Sequence, residues 1–147
     1  MTEQEQRVTE ARTLSMLLFQ ASERTRSDFA ALAARHGATP PMARLLLLLA
    51  EPMSMRAVAG ALDVDPSYIT GVADELERAG LVERSSGTDR RVKLLHTTPR
   101  GSELRAQLAR AIGNEATVLT RLTADERSTL RRLAELLLAE PAPSPLA

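Results

Sequence analysis

The sequence predicts a mainly α-helical fold with one small β-hairpin, and three observations carry that prediction. Long stretches at both ends place Leu and Ala at helical spacing. The middle, from Ser54 to Gly101, reads helix, tight turn, helix, then two short strands. The turn joining those strands ends in Asp89-Arg90-Arg91. A helix shaped for a DNA groove, followed by an arginine-tipped hairpin, is the plan of a winged helix-turn-helix.

Each element has a local cause. The first segment, Gln4 to His36, repeats apolar or small residues at Leu14, Leu17, Leu18, Ala21, Phe29, Leu32 and Ala33, and Gly37 stops it. Thr39 caps the second helix and Pro40 suits its first position. Met42, Leu45, Leu46 and Leu49 make one stripe there and Leu47 and Leu48 a second, so this helix is expected to be buried on most sides. Ser54 caps the third helix, whose inner face is Met55, Val58, Ala59 and Leu62. Asp63 and Val64 turn the chain. Asp65 then caps a fourth helix with Pro66 in its first turn, and that helix buries Ile69, Val72, Ala73 and Leu76 before Gly80. Leu81 to Arg84 and Val92 to Leu95 are the expected strands, joined through Ser85-Ser86-Gly87-Thr88. Thr98 and Pro99 open one long helix carrying Leu104, Leu108, Ile112 and Leu119. Thr123-Ala124-Asp125-Glu126 is a capping box for a last helix with Leu130, Leu133, Leu136 and Leu137. Three prolines from Pro141 onward predict a disordered tail over 141–147.

Composition narrows the function classes. The 147 residues fit one domain with a modest core. Without cysteine there is no disulfide, thiolate metal site, cysteine nucleophile or thiol switch. The start MTEQEQR has no apolar run, so no signal peptide is expected. The longest apolar run, Leu45 to Ala50, falls far short of the ~20 residues a membrane span needs. The expectation is a soluble cytoplasmic protein with no membrane partner. Nineteen basic and nineteen acidic side chains give a formal net charge of zero, so DNA contact has to rest on where charges sit. Phe19, Phe29 and Tyr68 are the only aromatics, too few for a platform that stacks single-stranded bases.

The outward face of the fourth helix presents Ser67, Gly71, Asp74 and Arg78, flanked by Tyr68 and Thr70. Its N-terminal end is the part that meets base edges in the major groove. Ser67 and Thr70 offer hydroxyls to a base or phosphate, Tyr68 reaches a phosphate or a thymine methyl, and Gly71 permits close approach. At the hairpin tip, Arg90 and Arg91 suit a narrow minor groove, and Asp89 can hold an arginine extended by a bidentate pair. Taken alone, the helix face is equally an ordinary solvated face and the hairpin tip reads better as a solvated charged turn; their order gives the DNA reading. The expected DNA-contacting set is Arg56, Pro66, Ser67, Tyr68, Thr70, Gly71 and Arg78, with Asp89, Arg90 and Arg91 at the tip.

These residues resemble the MarR family of bacterial transcription regulators. The carriers are Leu62-Asp63-Val64-Asp65-Pro66-Ser67-Tyr68-Ile69-Thr70, Leu76-Glu77-Arg78-Ala79-Gly80-Leu81-Val82-Glu83-Arg84, the wing signature Asp89-Arg90-Arg91 and its sequel His96-Thr97-Thr98-Pro99-Arg100-Gly101. His36-Gly37-Ala38-Thr39-Pro40 resembles the family's entry to its second helix. The resemblance runs from about Leu14 to Leu138. It implies one domain over 1–140, with a winged-helix lobe near 40–98 and dimerisation helices near 4–36 and 98–139. It implies that Arg91 enters the minor groove, that Asp89 anchors it, that Asp74 pairs with a wing arginine, and that Arg84 meets a phosphate. Two positions depart: Gly71 stands where many members have arginine, and His96 replaces the usual leucine.

The implied protein is an effector-responsive repressor that binds a pseudo-palindromic operator on double-stranded DNA as a homodimer. A small aromatic or anionic effector is implied between the dimer helices and the lobe, lined by Phe19, Phe29, His36, Met42 and Arg44; residue by residue, plain core suits the phenylalanines and methionine better, and a cap or surface place suits His36 better. No cofactor and no metal is expected, since His36 and His96 are the only histidines and lack ligand spacing. No enzyme is expected, because the seven glycines form no G-x-G-x-x-G, P-loop or G-x-S-x-G. The alternative is a winged-helix module that binds protein without specific DNA binding, which zero net charge and the acids Asp74, Glu75 and Glu77 keep open.

Overall fold

The computed structural model describes residues 2–86 and 92–139. Among the described residues, seven helices and three strands follow in the order α1 (Glu3–Arg35), α2 (Pro40–Leu48), β1 (Met53–Ser54), α3 (Met55–Leu62), α4 (Pro66–Arg78), β2 (Val82–Ser86), β3 (Lys93–Thr97), α5 (Pro99–Glu115), α6 (Thr117–Thr120) and α7 (Ala124–Leu138).

The side-chain caps expected from sequence form. Thr39, Ser54, Asp65, Thr98 and Thr123 each accept a hydrogen bond from the first turn of the helix they precede. Thr123 and Glu126 close a reciprocal capping box, and Thr2 with Glu5 closes another on α1. Gly37 and Gly80 take positive φ just past α1 and α4, as helix-stopping glycines do.

Three features differ from the sequence expectation. A third strand exists: β1 pairs antiparallel with β3, placing β3 in the middle of the order β1-β3-β2. Both hairpin strands run to later residues than expected: β2 pairs with β3 from Val82 opposite Thr97 to Ser86 opposite Lys93, so the ladder takes in His96 and Thr97. The long C-terminal helix breaks at Ala116, whose ψ of 125° is extended, so Leu119 lies on the short α6.

One core holds the lobe. Leu45, Leu46 and Leu49, Val58, Ile69 and Leu76, Val82 and Leu95, and Leu108 are all essentially buried. The ends of the chain are different. Every residue of α1 from Glu3 to Ser27 is exposed, and α7 has no buried residue. Leu14, Leu17, Leu18 and Phe19 on α1, and Leu133, Leu136 and Leu137 on α7, stand open to solvent. Among the described residues, no helix is long and apolar enough to cross a membrane.

Candidate nucleic-acid interface

The tight turn between α3 and α4 rests on Asp63, which adopts the left-handed conformation at φ 52°. Aspartate tolerates that region better than most residues. Val64 N–H then donates to Ala59 O at 3.1 Å, closing the α3 end. The chain leaves this turn directly into Asp65, the cap of α4.

Asp65 controls the α4 N-terminus. Its Oδ1 accepts the Ser67 N–H at 2.8 Å and the Ser67 hydroxyl at 2.5 Å. These two bonds, the hydroxyl first, hold the Asp65 carboxyl below the usual carboxylate range. Tyr68 N–H and Ile69 N–H donate to Asp65 O. The peptide groups that a phosphate would use at a helix start are therefore engaged.

The expected outward face of α4 is outward. Ser67, Thr70, Gly71, Asp74 and Arg78 are exposed, while Ile69, Val72, Ala73 and Leu76 are buried beneath. Pro66 occupies the first turn, and Tyr68 is half exposed on the flank. Thr70 Oγ1 donates back to Pro66 O at 3.1 Å. A Cβ on Gly71 would meet nothing within 4 Å, so that position is open space. Arg56 is exposed in the first turn of α3.

Arg84, on β2, is three-quarters buried and reaches α4. Its Nη2 lies 2.5 Å from Asp74 Oδ1, and its Nη1 pairs with Glu77. One guanidinium thus ties β2 to two acids of α4, a forked geometry that lysine cannot supply. The sequence pointed to Asp74 as an arginine partner but not to Glu77. Its signal was the i, i+3 spacing of the two acids on one helix face. Asp89, Arg90 and Arg91 lie outside the described residues.

A second clasp joins α4 to α5. Thr98 Oγ1 donates to Gly80 O at 2.8 Å, Arg100 donates to Ala79 O at 3.2 Å, and Thr98 N–H donates to Leu81 O at 3.1 Å. Gly101 lies so close that an added Cβ would overlap the Leu81 carbonyl oxygen. The C-terminal end of α4 is therefore fixed to α5, the helix that leaves the lobe.

Of the expected effector residues, the structure brings together Phe29 and Arg44. The Arg44 guanidinium sits 5.7 Å from the Phe29 ring centre, within cation–π range. Both line a 340 Å³ recess with Leu47, Leu48 and Leu62. Met42 packs partly buried against the core. His36 is the C-terminal cap of α1, and Phe19 is exposed about 15 Å up that helix from Phe29. A larger recess of 540 Å³ lies between α1 and the α5–α6 break. There Thr117 donates to Asp28 at 2.5 Å and Arg35 pairs with Glu115. The Thr117 bond, then Arg24, lowers the Asp28 pKa.

Comparison with known proteins follows the same outline. A model of the MarR family matches residues 38–93. A protein of Thauera aromatica, assigned as a transcriptional regulatory protein for the hcr operon, is 36% identical over 113 residues, which are 74% of this chain and 68% of that protein. The structure of CouR from Rhodococcus jostii RHA1 bound to p-coumaroyl-CoA superposes with a TM-score of 0.71 at 27% identity, over 88% of this chain and 94% of that one. A cysteine-to-serine mutant of E. coli MarR complexed with operator DNA superposes with a TM-score of 0.75 at 24% identity, over 88% and 96% of the two chains, a likeness of fold.

Proposed function

The chain belongs to the MarR family of transcription regulators, and from that premise we propose that it is a repressor that binds duplex DNA in the bacterial cytoplasm as a homodimer. The observation that carries this reading is α4, exposed along one face and held at both ends: Asp65 caps its start, Arg84 ties its middle to the wing, and Thr98 and Arg100 clasp its end. A rigid, outward-facing helix beside a wing strand suits insertion into a major groove. Binding itself regulates, by occupying promoter DNA, and no catalytic step is needed.

The dimer is supported by the open apolar stripes of α1 and α7. An amphipathic helix gains most of its stability by packing that stripe, and here the lobe does not cover it. A second copy offers the same stripes and closes the assembly by two-fold symmetry. Two recognition helices would then face half-sites about 34 Å apart. Arg56 and Arg78, together with the wing residues Arg90 and Arg91, supply the DNA-contacting charge in this reading, with Asp89 as the anchor of Arg91, and Arg84 acts by holding β2 to α4 through Asp74 and Glu77.

Release follows when a small aromatic or anionic effector favours a dimer whose lobes no longer match that spacing. Phe29 and Arg44 suit such a ligand, one offering a ring face and the other a cation. Selecting bound fragments from the source genome tests the proposal. Fragments that share a pseudo-palindrome with half-sites one helical turn apart support it, and fragments with no shared sequence overturn it.

A further inference from the structure

The groove-facing side of α4 carries Ser67, Thr70, Gly71 and Asp74, and the structure shows where their hydrogen-bond donors go. Ser67 Oγ–H is spent on Asp65 Oδ1 at 2.5 Å. That acceptor is a carboxylate, and charge-assisted bonds of this kind are roughly twice as strong as neutral ones. A neutral base edge does not win the proton from it. Thr70 Oγ1–H is spent on Pro66 O at 3.1 Å. Asp74 brings a carboxylate, held by Arg84. Gly71 brings no side chain at all.

The nearby donors are placed elsewhere. Arg84 is committed to its two acids. Arg78 sits in the last turn, about 16 Å along the axis from Ser67, beyond the end that meets base edges. Tyr68 is turned about 100° from Ser67 around the helix and lines a recess with Pro41 and Arg44. What faces the groove is therefore two hydroxyl lone-pair sets, a carboxylate, a threonine methyl and a bare glycine Cα.

We infer that this recognition helix is an acceptor surface: it reads the amino groups of adenine and cytosine and the methyl of thymine, and leaves guanine's edge unread. Guanine shows only the acceptors N7 and O6 in the major groove, whereas adenine N6 and cytosine N4 each show a donor. Acceptor against acceptor gains nothing. A G·C pair under this helix is read from its cytosine. The inference rests on α4 being the DNA-reading helix and adds which base chemistry it recognises.

The test starts with duplexes selected from a random library by the full-length protein. The best one is remade with 7-deazaguanine for every guanine, which removes the N7 acceptor and keeps pairing. It is also remade with N6-methyladenine and N4-methylcytosine, which crowd the amino groups. Affinity for the 7-deazaguanine duplex should stay within about twofold, and amino methylation should weaken binding roughly fivefold or more. Gly71→Arg, which places a guanidinium in open space, should then select sites with guanine and acquire sensitivity to 7-deazaguanine. A loss above fivefold on 7-deazaguanine in the unmutated protein, or indifference to amino methylation, overturns the inference while leaving DNA binding intact. Failure to select any duplex overturns the DNA reading and this inference with it.

Discussion

Replacing Gly101 with alanine should loosen the joint between the recognition helix and the helix that leaves the lobe. An alanine Cβ would overlap Leu81 O and lie 2.8 Å from Leu81 C and 3.2 Å from Leu81 Cα. Ordinary carbon contacts sit near ~3.5–4.0 Å, and the obstacle is backbone that no rotamer change can remove. The first turn of α5 must therefore move by roughly 1 Å. That shift stretches Thr98 N–H to Leu81 O and Thr98 Oγ1 to Gly80 O. Overpacking costs about 1–3 kcal/mol, and each weakened hydrogen bond about 0.5–1.5. Alanine's better helix propensity returns up to ~1 kcal/mol. A net loss of about 2–4 kcal/mol is expected, a large share of a typical stability of about 5–15. Gly113→Ala on the same helix is the control: its Cβ meets nothing within 4 Å, so it should be neutral or stabilising by up to ~1 kcal/mol. Urea denaturation at one fixed protein concentration measures both. A Gly101→Ala protein within 0.5 kcal/mol of the parent (roughly the noise of surface substitutions) would refute the close approach at Leu81.

Other predictions follow from the α4 surroundings. Arg84→Ala should cost about 1 kcal/mol of stability, since its acid partners are half exposed and screened, and should weaken DNA binding by freeing β2 from α4; a duplex titration unchanged by the substitution would deny it that role. Arg84→Lys should recover little of the loss, because an ammonium does not fork between Asp74 and Glu77. The Asp65 carboxyl is held low in the folded state, so its stabilisation is complete above the ordinary value of 3.8 and is lost as pH falls through the depressed folded value. Asp65→Asn should flatten the acid side of the stability–pH curve below pH 3.8, and an unaltered curve would remove the Ser67 bonds as its cause. Arg91→Ala should cost roughly 1–3 kcal/mol in DNA binding if it enters a groove; full affinity in the folded variant would take Arg91 out of the wing role.

What the sequence disclosed follows from the range of the forces involved. Caps are local: Thr39 before Pro40 and Asp65 before Pro66 place an oxygen and a fixed φ within three residues, so the helix starts were readable. β1 was not, because two residues carry no alternation and Met53 pairs with Leu95 far along the chain. The break at Ala116 is not announced by a proline, and Gly113, three residues earlier, stays within the helix. The break sits instead where Thr117 bonds Asp28 and Glu115 pairs with Arg35, contacts between segments some eighty to ninety residues apart. The face of α4 was legible from its period, but the direction of its hydroxyl protons was not. That required the observed position of Ser67 Oγ against Asp65.

The central claim is that this chain reads duplex DNA through α4 and its wing, two copies to a site. Its most direct test is an equilibrium titration of a selected pseudo-palindromic duplex across a range of salt concentrations, with the mass of the complex measured in parallel. Two chains per duplex are expected, with a log K that falls linearly with log salt, by about 0.9 for each phosphate contact. One chain per duplex, or an affinity indifferent to salt, would contradict it.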